Sequence, residues 1–425
     1  MSARISRPNE AQQTHIVQQL DVLLKQRGAT VQDWLENQRE IFGAPFYSSV
    51  DLRHAGFKLA PVDTNLFPAG FNNLSAAARV RAAAQMQRCF AKNGVKRVLV
   101  IPENHTRNLN YLENLVVLQS ILQAAGVAVE IGSLLAEGEP LQLVSAGGTP
   151  LTQYPLLKEG NQLRTSTGFV PDFIVLNNDL TSGLPEILRG ITQPIAPRPG
   201  LGWHRRRKSI HFDAYDKIAT EFALTFDIDP WLLTTETHRC GHVNFADRQG
   251  LECVALGVER VLARVRAHYT RYGITQTPYV FIKSDAGTYG MGIMTAHSGD
   301  EVMEINKKGR NKMHTIKEGV QSTEVIIQEG VPTACSVDGF AAEPMLYLVR
   351  GVAVGGAYRV NRERDSEGNL NASGMYFAPM CDETEAAAHA GAVAMPECSF
   401  GAFGLVAALA ALAATQEEYG ENYAI

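Results

Sequence analysis

Apolar residues along this chain recur with two periods, and each period marks a kind of element. Over residues 10–40, Ile16, Leu20, Leu23 and Leu24 form the stripe of a helix. Residues 46–74 are extended and loop-rich, through SVDLRHAGFKLAPVDTNLFPAGFNNL. The run SAAARVRAAAQMQRCFAK, from Ser75 to about Lys92, reads as a helix capped by its serine and closed by Asn93-Gly94. VKRVLVIPEN then reads as a buried strand, YLENLVVLQSILQAAG as a helix and VAVEIGSL as a strand, a βαβ unit that predicts parallel sheet. DFIVLNNDL (172–180) is a further strand, and the proline-rich, basic TQPIAPRPGLGWHRRRK reads as a linker into the next domain. Helices are expected over 213–225 and 251–271, and strands with glycine turns and one helix over 278–360. There is no internal repeat and no low-complexity tract.

Composition narrows the function classes. The 425 residues are enough for two or three domains, and 45% hydrophobic against 20% charged residues is ordinary for a globular chain. A net charge of -5 argues against nucleic acid as the main ligand, with His204-Arg205-Arg206-Arg207-Lys208 as a local exception. The apolar run 403–414 is too short to span a bilayer and reads as a buried helix. The first twenty residues lack the apolar stretch of a secretory signal, so a cytoplasmic location is expected. The six cysteines, at 89, 240, 253, 335, 381 and 398, form no C-x-x-C pair. His238, Cys240 and His242 alternate, and loop packing or substrate contact is favoured there over a metal site.

Candidate chemistry begins at FIKSDAGTYGMGIM (281–294), where a strand ends in Lys283 and Gly287, Gly290 and Gly292 follow. The Walker pattern is absent, and a Rossmann fingerprint fails because a strand follows, not a helix. What remains is a hairpin whose glycine amides can approach a phosphate beside the lysine charge, or else a surface hairpin with one solvated lysine.

The neighbouring motifs favour the first. DAYDKIATEFALTFDIDPWLLTTE precedes the loop, and TEVIIQEGV (323–331), AAEPMLYLVRGVAVGGAYRVN and GNLNASG (368–374) follow it. This succession, over about residues 200–380, resembles the ATP-grasp ligases. The resemblance implies that Lys217 and Lys283 reach nucleotide phosphates under a loop of Gly287, Gly290 and Gly292, and that Gln328, Glu329, Gly330 and Val331 hold adenine. GNLNASG is similar to the loop by which glutathione synthetases enclose the acceptor, so Asn369 and Asn371 join Lys283 and Arg359 as the catalytic set and also as substrate contacts. Taken whole, PVDTNLFPAGFNN, FIKSDAGTYGMGIM and AYRVNRERDSEGNLNASG resemble the proteobacterial glutamate–cysteine ligase family. That implies γ-glutamylcysteine formation through an acyl phosphate, the first step towards glutathione, with ATP and Mg2+. Another amino-acid or peptide ligase of this fold, and a non-catalytic nucleotide-binding module, remain as alternatives.

The chain departs from the ATP-grasp pattern at its end, where an acidic residue and an acid-x-Asn strand should hold magnesium. Glu421-Asn422 lacks the spacing, and Glu304-x-Asn306 has the spacing in the wrong place. DLRHAGFKLAPVDTNLFPAG instead puts Asp51 twelve residues before Asp63, with Asn65 two beyond, on one face of a strand. Asp51, Asp63 and Asn65 are therefore the candidate metal ligands of a permuted grasp. An asparagine-rich turn with capping carboxylates, or a glutamate-binding loop, is the alternative. For the amino-acid substrate, the strand VLVIPEN ends in Glu103 and Asn104, with His105, Thr106, Arg107 and Asn108 beyond, and ligands gather beyond such carboxyl ends. Arg107 could clamp a carboxylate; Asn177, Asn178 and Asp179 are read in the same way.

The expected architecture is α/β and ATP-grasp-like. Residues 1–94 supply helices and the hairpin that completes the grasp, 95–199 a Rossmann-like pre-grasp domain, and 200–425 the grasp itself, its glycine-loop subdomain at about 230–327. Expected partners are small molecules, ATP and amino acids, with no nucleic acid and no membrane; a homo-oligomer is compatible with the sequence.

Overall fold

A computed structural model describes residues 16–135, 138–287, 292–314, 323–380 and 400–417. Its strands form three sheets, and the first is assembled from both ends of the chain. Met375–Pro379, Val352–Asn361, Phe340–Val349, Tyr47–His54 and Leu59–Asn65 lie side by side in that order, all antiparallel, with Ser336–Val337 added to Phe340–Val349. The hairpin formed by Tyr47–His54 and Leu59–Asn65 thus joins strands almost 300 residues downstream, Asp51 lying opposite Met345. Side chains alternate in direction along a strand. Val50, Leu52, Leu346 and Leu348 consequently enter one core, while Asp51 and Arg53 face the other way.

That core is closed by the helix Gly401–Ala413, in which every residue from Leu405 to Ala413 is buried. A helix apolar all round is stable only when surrounded. Here the helices Ile16–Phe42 and Lys208–Thr225 and the first sheet surround it. Ile16–Phe42 is interrupted at Arg27 (φ −128°) and buries Ile16, Leu20, Val31 and Leu35. Among the described residues no helix is long and apolar enough to cross a membrane.

The second sheet, Thr237–Cys240, Val325–Glu329, Val280–Ser284 and Ile293–Ala296 in that order, is also antiparallel. Val280, Ile282, Val325 and Ile327 pack on the helix Leu251–Tyr272, leaving Phe281 and Lys283 to face the first sheet. The third sheet contains the expected parallel strands, Ala128–Ser133, Arg97–Pro102 and Phe173–Asn177. It is wider than the apolar pattern suggested, because Pro150–Glu159, parallel to Ala128–Ser133, adds antiparallel partners at Leu141–Val144 and Gln162–Thr165.

The proline-rich basic segment is not a linker. Ile195–Ala196 is a strand parallel to Phe173–Asn177, Pro199–Leu201 is a 3-10 turn, and the next helix begins at Lys208, five residues earlier than expected. Its charges are compensated inside the fold. Arg206 is 1% exposed, bonds Glu417 through two nitrogens and donates to the Thr64 carbonyl at 2.5 Å. Arg207 pairs with Glu324 and Lys208 with Asp63.

Candidate active site

The facing surfaces of the first two sheets enclose a cleft of about 600 Å³, counting the part open to solvent. Asp51 and Asp63 stand directly opposite each other across the N-terminal hairpin. Like charges so placed repel, and each is met by a cation from elsewhere: Arg359 Nη1 lies 2.6 Å from Asp51 and Lys208 Nζ 2.5 Å from Asp63. Burial disfavours ionisation of Asp63, but Lys208, supported by Lys283 and Arg206, outweighs it and holds the carboxyl at about 2. The balance at Asp51 is reversed. Burial, with Glu343 and Asp63 adding to it, exceeds the pull of Arg359 and leaves that carboxyl above its ordinary value.

Lys283 comes from the opposite wall. Its ammonium donates to the Val62 carbonyl at 2.8 Å, 221 residues away in sequence, and to Gln328 Oε1 at 2.7 Å. Burial lowers its pKa to about 8, with Lys208 and Arg53 pushing the same way and Asp63 opposing. Gly287 (φ +106°) follows at the rim of the cleft, in backbone that a side chain would strain. Gly292 closes the turn by accepting from the Ser284 amide at 3.0 Å. Gly290 lies outside the described residues.

Asn369 and Asn371 line the same cleft, and Asn369 Oδ1 accepts from the Asn371 amide at 3.0 Å. Their loop is held from beneath by Arg53, whose guanidinium bonds Glu343 at 2.5 Å, the Ser366 carbonyl at 2.9 Å and the Gly368 carbonyl at 2.8 Å. Asn361 adds bonds to the carbonyls of Leu370 and Ser373, each 3.1 Å. Glu343 stays ionised despite its burial, because Arg53 and Arg359 flank it.

Several residues singled out in the sequence lie elsewhere. Lys217 is exposed, nine residues beyond Lys208 on one helix. At 3.6 residues per turn, nine residues are two and a half turns, so the two lysines project from opposite faces. Gln328, Glu329, Gly330 and Val331 do not line the cleft. The edge expected to meet adenine is occupied because Val325–Glu329 is an interior strand: the Glu329 amide donates to Glu236 O and the Gly330 amide to Tyr279 O. The Glu329 carboxylate takes both bonds of the fully buried Lys58, each 2.7 Å. Gln328 contributes indirectly, by orienting Lys283. Asn65 folds back to accept from the Phe67 amide at 2.9 Å, capping its own turn. Asn104 and Arg107 are exposed at the rim of the third sheet, and Glu103 pairs with His105 at 2.5 Å. Asn177 ties that sheet to the Pro68 carbonyl at 2.8 Å, Asn178 bonds the Pro102 carbonyl, and Asp179 caps Thr181. Among the described residues no group of three His, Cys, Asp or Glu is arranged to hold a metal, the His238, Cys240 and His242 trio included.

Arg53, Lys208 and Glu343 escaped the sequence reading. Glu343 gave one signal, a charge within an otherwise apolar strand, and Arg53 sits in a strand already polar at Ser48, Ser49 and Asp51. Lys208 was hidden in a run that looked like a basic linker.

A family model described as glutamate-cysteine ligase matches residues 21–418. A crystal structure from Methylobacillus flagellatus KT, of a protein provisionally assigned as a gamma-glutamylcysteine synthetase, is 41% identical, with a TM-score of 0.83 over 98% of this chain and 99% of that one. More distant is a glutathione synthetase-like effector of Globodera pallida, at 11% identity and TM-score 0.36 over 86% of this chain and 82% of the other. The D-alanyl-alanine synthetase A of Vibrio cholerae stands at 12% and 0.30 over 68% and 76%. No curated protein matches the chain significantly.

Proposed function

The chain belongs to the glutamate–cysteine ligase family, and on that premise we propose that the cleft between its two antiparallel sheets is where ATP activates glutamate for attack by cysteine. The enzyme is an ATP-dependent ligase that forms γ-glutamylcysteine. The observation that carries the assignment to this cleft is the meeting of Lys208, Lys283 and Arg359 with Asp51 and Asp63 beside Gly287, from segments remote in sequence.

Joining a carboxylate to an amine requires that the carboxylate oxygen leave. The glutamate γ-carboxylate attacks the terminal phosphorus of ATP, ADP departs, and the amine of cysteine displaces phosphate from the acyl phosphate. Such transfer asks the protein chiefly for positioning and charge neutralisation. Lys208 and Lys283 provide cations for the phosphate oxygens, and Arg359 is placed to meet charge developing at the reacting carboxyl. Asn369 and Asn371, on the loop stapled by Arg53, cover the acyl phosphate and keep water from it.

The acid set suits a magnesium ion. Two carboxylates from protein, completed by phosphate and water oxygens, match the preference of this hard cation. Asp51 is, moreover, destabilised as an anion by burial and by Glu343 and Asp63. Asp51 and Asp63 would hold the ion, with Asn65 needing to release its turn before joining them. When bound, the ion would supply positive charge that neutralises the phosphates. On this reading residues 1–94 contribute the hairpin of a permuted ATP-grasp, 95–199 its preceding α/β domain, and 200–425 the remainder, with the glycine-loop subdomain at about 230–327. ADP release measured with single amino acids and with pairs tests the function. Release that needs glutamate and yields γ-glutamylcysteine with cysteine is expected, and release stimulated by other pairs alone would overturn it.

A further inference from the structure

Away from the cleft, two sulfurs stand side by side. Cys240 ends the strand Thr237–Cys240 and is 2% exposed, whereas Cys253 is exposed in the first turn of the helix Leu251–Tyr272. Their Sγ atoms are 3.4 Å apart. The cause of the approach is one turn further along the helix, at Gly257. A Cβ there would come within 2.5 Å of Ile327 Cδ1, 2.7 Å of His238 Cδ2 and 3.5 Å of Cys240 Sγ. Glycine lets the helix press onto the sheet at that point, and the residue four positions earlier on the same face is Cys253.

We propose that Cys240 and Cys253 are a redox-modification site, closing reversibly into a disulfide across the loop 241–250 when the chain meets a low-molecular-weight disulfide. The exposed Cys253 gives up its proton to solvent and attacks one sulfur of that disulfide. A new S–S bond forms, and the other half of the reagent leaves as a thiolate. Cys240 then loses its proton and attacks the Cys253 sulfur, and the second half leaves as a thiol. The protein dithiol is oxidised and one disulfide is reduced to two thiols. Bonding needs the sulfurs to close from 3.4 Å to about 2.0 Å, within the reach of side-chain rotation. In the resting state burial, joined by the hydrogen bond and charge of Cys253, pushes the Cys240 thiol up to about 12. Capping Cys253 removes its charge, so the first step assists the second.

The cross-link would tie the outer strand of the second sheet to the helix beneath it. Arg239, the neighbour of Cys240, pairs with Glu324 and lies 3.4 Å from Asp285. Asp285 in turn accepts from Ser209 and, through its carbonyl, from the Lys208 amide. The pair therefore sits behind the wall of the cleft, and its chemistry does not depend on the ligase assignment.

The experiment treats the full chain with hydroxyethyl disulfide, traps remaining thiols by alkylation and maps the peptides by mass spectrometry. The expected result is a Cys240–Cys253 cross-linked peptide at least tenfold more abundant than the mixed disulfide on Cys253, and lost on adding dithiothreitol. Cys240→Ser should instead retain a lasting adduct on Cys253, and Cys253→Ser should give no cross-link. A stable adduct on Cys253 in the unsubstituted chain, or a Cys253 no more reactive than the half-buried Cys89, would overturn the proposal.

Discussion

Asp51 and Asp63 are partners across one hairpin, yet they are neutralised from opposite directions, Asp51 by Arg359 308 residues downstream and Asp63 by Lys208 145 residues downstream. The hairpin is thus a meeting point, where a strand of the first sheet and a helix leading into the second present cations to the same pair of acids. Phosphate oxygens would compete for those cations and a divalent ion for the acids, so nucleotide and metal would enter by exchanging partners already in place.

The helix lysine at this point is Lys208, with Lys217 on the opposite face. Lys208→Met is expected to lower kcat/KM for ATP by about a hundredfold, the effect of removing one positioned donor from a reacting anion. Lys217→Met should stay within about twofold of the unsubstituted enzyme, as exposed charges usually do. Steady-state kinetics on the two variants distinguish the faces.

Asp63, Lys283 and the asparagine loop could be singled out in the sequence because each belongs to a local pattern: an acid two residues before an asparagine, a lysine before glycines, asparagines between glycines. The hairpin of Val280–Ser284 and Ile293–Ala296 was legible for the same reason, whereas its pairing with Val325–Glu329 was not. What stayed hidden depends on partners far along the chain. Arg206 reads as surface charge until Glu417, 211 residues away, is placed against it. Arg53 gains meaning only from carbonyls 313 and 315 residues downstream. The adenine reading of Gln328–Val331 failed to reach the cleft because a sequence does not reveal that both neighbours of a strand are occupied.

Arg53 holds Glu343 and two loop carbonyls with one planar fork. Lysine can keep the ion pair but cannot span both carbonyls. Arg53→Lys is therefore expected to loosen the Asn369 loop and let water reach the acyl phosphate. The ratio of ADP released to γ-glutamylcysteine formed should rise several-fold while the KM for ATP changes little. A ratio fixed at one would show that the staple does not guard the intermediate.

Burial places the Lys283 ammonium at about 8, below its usual 10.5. The cation is present below that pH and lost as pH rises through it, so kcat/KM for ATP should decline above about pH 8. Lys283→Arg, which keeps its charge, should move the decline upward at a lower overall rate. Because kcat/KM reports the free enzyme, the profile should be taken at low ATP.

Arg206 and His211 meet Glu417 in a buried cluster, and the glutamate is held at about 2 despite its burial, well below the usual 4.5. A depressed carboxyl contributes stability that is fully present above its unfolded pKa and lost as pH falls through its folded one. The shift corresponds to roughly 3 kcal/mol. Urea unfolding should show stability falling from about pH 4.5 towards pH 2, and Glu417→Gln should be less stable at neutral pH with a flatter acid limb.

On this reading the N-terminal hairpin supplies the metal side of the cleft. Anomalous diffraction from crystals grown with Mn2+ and a non-hydrolysable ATP analogue locates the ion. A manganese peak is expected within about 2.1 Å of oxygens of Asp51 and Asp63, with the triphosphate between them and Lys208 and Lys283. A metal and nucleotide bound elsewhere, such as beside Glu103 and Arg107, with both aspartates still on Arg359 and Lys208, would contradict it.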